Sequence, residues 1–128
     1  MRAIRRTAAM AISLLVLTAS GAWAQTSVTG SERLGWDQAA SDIGVLGWLV
    51  SIDGGAGVAL VDVTCEAAGP GTYACAAAFP AMTPGVHEVR VAAFEDVGAT
   101  RLQSEWSAPL TVRLVVVPAV PTALRVVP

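Results

Sequence analysis

Lysine is absent from the chain, histidine occurs once and cysteine twice, and charged residues make up only 14% of 128 positions. The shortage of cations excludes a class of partners. All eight basic residues are arginines, scattered against ten carboxylates. A nucleic-acid backbone needs a clustered basic face, so nucleic acid is not an expected partner. An anionic membrane surface is disfavoured for the same reason. One histidine and two cysteines fall short of a four-ligand structural zinc site of histidine and cysteine. No metal or cofactor is expected. A run of ~20 apolar residues, the length that spans a bilayer, is also missing.

What is present begins with a leader. Arg2, Arg5 and Arg6 precede an apolar stretch from Ala8 to Ala19, and Ala22-Trp23-Ala24 supplies small residues at a peptidase site. This predicts a signal peptide over residues 1–24, cut before Gln25, and a secreted or periplasmic product. The alternative is an uncleaved amphipathic anchor, which would leave the small-residue site without a role. Beyond the leader the chain has 104 residues with five arginines and ten carboxylates, a formal charge of −5. That length suits one domain. Stable membrane insertion of this part is not expected.

In an oxidising compartment Cys65 and Cys75 are expected to pair. They lie symmetrically about Pro70 in Gly69-Pro70-Gly71, so strands reversing there set the two thiols opposite each other. Ligation of a metal by the two thiolates would need partners that the chain does not have.

Periodicity points to strands. His87, Val89, Val91 and Ala93 alternate with Glu88, Arg90, Ala92 and Phe94, and Trp48, Val50 and Ile52 alternate with Leu49, Ser51 and Asp53. Leu110, Val112 and Leu114 repeat the pattern. Turn clusters separate these runs at 53–57, 69–71 and 80–85, and no capped helical stripe follows Gln25. The expected fold is all-β, an antiparallel sandwich of about six or seven strands. The expected strands are Ser31–Asp37, Leu46–Asp53, Val58–Cys65, Thr72–Ala77, His87–Phe94 and Leu110–Val117, with a short first strand within Gln25–Thr29.

Four segments resemble fibronectin type III domains in order and spacing. Leu34-Gly35-Trp36-Asp37 resembles the second strand and Gly47-Trp48-Leu49-Val50-Ser51-Ile52-Asp53-Gly54 the third. Met82-Thr83-Pro84-Gly85-Val86-His87 resembles the corner and sixth strand, and Ser104-Glu105-Trp106-Ser107-Ala108-Pro109-Leu110 the approach to the last. The resemblance implies an immunoglobulin-like sandwich over residues 25–117 with Trp36 and Trp48 in its core. It departs from the family where His87 replaces the usual corner tyrosine, and in its paired cysteines, which look like a variant of secreted bacterial domains of this kind. A buried His87, hydrogen-bonded to a backbone carbonyl, would resist protonation. The Pro-rich tail 118–128 resembles the linker and opening strand of a further domain. It fits a short protein with a free end, or a piece of a tandem array, with the array favoured.

Catalytic equipment is scarce. His87 is the only candidate base, and no G-x-S-x-G elbow is present. Gly54-Gly55-Ala56-Gly57 opens no helix and reads as a hairpin turn rather than a phosphate loop. Asp62 and Glu66 read as solvated strand positions. The acidic pair Glu95-Asp96 opens an expected loop to Gln103. With Arg101 and Trp106 it forms the candidate binding surface, although Trp106 is expected mainly to pack over the last strand. The expectation is therefore no enzyme, but a binding, adhesion or spacer module for an unidentified protein or carbohydrate. An accessory domain or fragment of a larger secreted hydrolase is the alternative.

Overall fold

The computed structural model describes residues 25–128, so the expected leader lies outside the described residues. Nine strands form two sheets, and the described residues contain no α-helix. The strands are β1 (Thr26–Val28), β2 (Arg33–Ala39), β3 (Gly47–Ile52), β4 (Val58–Ala59), β5 (Thr64–Gly69), β6 (Thr72–Ala78), β7 (Gly85–Val97), β8 (Thr100–Gln103) and β9 (Leu110–Leu114). The larger sheet runs β1-β9-β7-β3-β4, with β8 added alongside β7. The smaller runs β2-β6-β5. All pairs are antiparallel except β1 with β9.

Inward-phase residues of both sheets make one core. Leu34 and Cys75 from the small sheet meet Trp48, Val50, Val89, Val91 and Val112 from the large one, with Val28 closing one end. The alternation legible in β3 and β7 thus selects the face that meets the small sheet. Trp36 and Trp48 pack with ring centroids 5.7 Å apart at 57°, a tilted arrangement of the kind aromatic quadrupoles favour.

Three expectations need correction. The run Val58–Cys65 is not one strand. β4 belongs to the large sheet and β5 to the small one, and the chain crosses between them through Asp62, whose φ of 53° makes the corner. Asp62 is therefore a corner residue, while Glu66 is an exposed strand position. The segment Glu95–Gln103 is not a loop. β7 continues to Val97, turns over Gly98-Ala99 with Gly98 at φ 60°, and returns as β8. Such a two-residue reversal uses glycine where φ must be positive. The last strand ends at Leu114, leaving Val115–Val117 with the tail.

The cysteine geometry is as expected. Cys65 and Cys75 face each other in the β5–β6 register and are joined by a disulfide. Pro70-Gly71 makes the turn, with Gly71 at φ 66°.

Candidate functional site

Three surfaces gather the polar and aromatic side chains singled out from the sequence. The first is the corner before β7. His87 shares the inward phase of Val89 and Val91, and its side chain is only 11% exposed. Its Nδ1 donates to Asp53 Oδ2 at 2.7 Å and its Nε2 donates to the Thr83 carbonyl at 2.6 Å. Asp53 follows β3 with φ 52°, a conformation a short Asp side chain tolerates. Its Oδ1 accepts from the Glu88 amide at 2.8 Å, and its own amide donates to the Glu88 carbonyl. The β3–β4 turn is thereby clasped to β7.

The expected backbone bond exists, but the protonation expectation reverses. Two acceptors face the two ring nitrogens, and only imidazolium donates from both. The Asp53 carboxylate, and then the Thr83 carbonyl, raise the His87 pKa above its ordinary 6.5. The Glu88 amide, and then His87, lower the Asp53 pKa below its ordinary 3.8. Partial burial opposes both shifts and loses to these contacts.

The sign of the pH dependence follows. The His87 contribution is complete below pH 6.5 and is lost as pH rises through the raised folded value. The Asp53 contribution is present above pH 3.8 and is lost as pH falls through the depressed one. The urea midpoint of the native protein should accordingly decline as pH rises from 6.5, while that of His87→Gln stays flat over the same interval. A native midpoint that increases there would contradict a cationic clasp.

Chemically, the corner is ill-suited to accept a proton. The Thr83 hydroxyl lies 3.4 Å from Nε2, but the Thr83 carbonyl is closer and takes the Nε2 proton. A Ser-His-Asp relay requires Nε2 to be a free base facing its nucleophile.

The second surface is the β7–β8 hairpin. Asp96 and Arg101 are directly opposite in register and joined twice, at 2.7 and 3.0 Å. This pair lowers the Asp96 pKa and raises that of Arg101. The Arg101 guanidinium also lies 3.9 Å from the Phe94 ring centroid, covering one face of that ring. Glu95 stands opposite Leu102 rather than in a loop. Trp106 packs beside β3 on the same sheet. A Cβ at Gly57 would come within 3.0 Å of its Cη2 and 3.3 Å of Leu49, so the indole is packed over the outer side of β3. Asp96 and Arg101 are thus brought together on one face of the hairpin, and Glu95, paired with Leu102, alternates to the other.

The third surface has no counterpart in the sequence reading. β2 pairs with β6 alone, so its other backbone edge is unpaired along Arg33–Ala39. Below that edge the sandwich is open. One cleft of about 180 Å³ lies between β1 and the start of β2, and a second of about 340 Å³ continues beside Trp36 and Ala108. Leu34, Gly35 and Leu110 line both. Leu110 holds the inward phase of β9 yet is 40% exposed, because no strand covers it. Trp36, expected in the core, is only partly buried at this opening, and its Nε1 is a buried donor without a partner. The signal for this surface was the shortness of Gln25–Thr29, whose β1 joins β9 instead of β2.

Among the described residues no helix is long and apolar enough to cross a membrane, and no group of three or more His, Cys, Asp or Glu is placed to hold a metal. The disulfide suggests an oxidising, extracytoplasmic setting. No family model, curated protein or solved structure matches the chain.

Proposed function

We propose that the chain is a non-catalytic, secreted or periplasmic module of fibronectin type III type, working by binding or spacing. The observation that carries this reading is the His87 ring, whose two nitrogens are both spent on structural acceptors. The sandwich supports the family assignment, since Trp36 and Trp48 pack against each other between its sheets. The signal-like leader and the Cys65–Cys75 bond agree on an oxidising compartment.

A protein partner suits the surface better than a sugar. Carbohydrate recognition by stacking needs an open aromatic face. Arg101 covers Phe94, and Trp106 is tucked against Gly57. An unpaired strand edge, by contrast, is a template for another polypeptide.

The test for catalysis is direct. Ester, amide and glycoside chromogenic substrates should hydrolyse no faster with the native protein than with buffer. Turnover that disappears in His87→Ala would overturn the non-catalytic reading.

A further inference from the structure

The open side of the sandwich lacks one strand, and the chain carries a segment able to supply it. After β9, Val116, Val117, Val120, Leu124, Val126 and Val127 are all exposed, Leu124 at 88% and Val126 at 99%. Solvated apolar side chains at this density usually mark an interaction site. Leu124 and Val126 alternate with Arg125, giving one apolar and one charged face if the segment is extended.

We propose that residues 123–127 of one copy add as an antiparallel strand to the free edge of β2 in a second copy, closing its cleft. The register is set by charge and phase together. Asp37 has no side-chain partner among the described residues. Arg125, the only charged residue of the tail, makes no polar contact beyond a 3.5 Å bond to the Ala123 carbonyl. Placing Arg125 opposite Asp37 sets Val126 opposite Trp36 and Leu124 opposite Gln38, the inward positions of β2. Val127 then lies opposite Gly35, where the edge has no side chain to obstruct it. Ala123 leaves its φ of 54° for extended backbone, a relief for a residue with a Cβ.

The direction of the tail favours another copy over the same chain. β9 ends at the end of the sandwich where β2 begins, as the contact between Gly30 and Leu114 shows. A tail folding straight back would therefore run parallel to β2. An antiparallel strand has to enter from the far end, which the tail of a second molecule does without the additional reversal its own chain would need. The ten residues from Val115 to Leu124 reach about 30 Å when extended, enough to leave their own domain. Main-chain pairing would give affinity, and the alternate side chains would give specificity.

The experiment is charge exchange on the full chain, read by sedimentation velocity across a wide concentration range. The native protein should self-associate. Asp37→Arg and Arg125→Glu should each weaken association, and Leu124→Asp with Val126→Asp should weaken it about tenfold or more. A mixture of the two single charge variants should associate again, because the Asp37→Arg edge then meets the Arg125→Glu tail. Unchanged near-ultraviolet circular dichroism in each variant shows that folding is intact. A native protein that is monomeric at every concentration overturns the proposal. So does association insensitive to the tail substitutions, or a mixture no more associated than its components.

Discussion

Trp48→Ala should be the most damaging single truncation in the domain, lowering stability by about 3–5 kcal/mol, the range for emptying a large aromatic core site. Trp48 is 7% exposed, at the centre of the cluster that joins the sheets. Its Nε1 donates to Gln38 Oε1 at 3.0 Å, tying β3 to β2 across the sandwich. Truncation removes the indole from between Val50 and Trp36, and it deprives a half-buried amide oxygen of its donor. The second loss adds to the first, because an unsatisfied acceptor keeps its desolvation cost. A domain of this size holds roughly 5–15 kcal/mol in total, so the variant should stand close to unfolding at room temperature. Trp36→Ala should cost less. Its ring borders the open cleft, its Nε1 has no partner to lose, and water already reaches part of the site. Urea titrations of the two variants give the comparison. A larger loss for Trp36 than for Trp48 would mean that the cleft beside β2 is occupied in solution.

The two tryptophans also mark how far the sequence is legible. Period-two alternation identifies the inner face of β3 and β7 because the large apolar side chains recur on one side, although Ser51 and Ala92 on the other side are buried as well. The phase of Trp48, His87, Val89 and Val91 follows from it. Alternation says which way a side chain points but not whether another strand covers it. Coverage depends on pairing distant in sequence, and β1 choosing β9 over β2 is what leaves Trp36 at an opening. The break between β4 and β5 is hidden for a related reason. Val58 to Cys65 is a plausible single strand by composition, and only the positive φ at Asp62 sends it to the other sheet.

The hairpin of β7 and β8 was obscured by its acids. Glu95-Asp96 suggests solvent, but Asp96 and Arg101 are symmetric about the Gly98-Ala99 turn, and opposite charges across a ladder stabilise it. That symmetry was in the sequence, as was the symmetry of the cysteines about Pro70. The phase of His87 is legible in the sequence, and the upward shift of its pKa is not. The pull of Asp53, 34 residues away, overrides the burial that the phase implies.

Replacing Cys65 and Cys75 together by alanine should destabilise the domain by about 2–4 kcal/mol, the usual range for a native bridge closing a short loop. The two residues are ten apart and already neighbours in the β5–β6 ladder, so the bond constrains the unfolded chain more than it reshapes the native one. Its local weight is greater than that figure suggests. β5 is an outer strand whose residues are exposed except for Cys65, the one side chain it contributes against the core. Without the sulfur bridge β5 keeps its ladder to β6 but loses its only apolar anchor. Its amides should then exchange with solvent through local opening, well before those of β3 and β7. The native protein should be two hydrogens lighter than its reduced form, and alkylation without reductant should label neither cysteine. Hydrogen exchange on the Cys65→Ala, Cys75→Ala variant decides the local point. If β5 and β7 lose protection by the same factor, the bridge acts only on global stability and the edge strand is held by its hydrogen bonds alone.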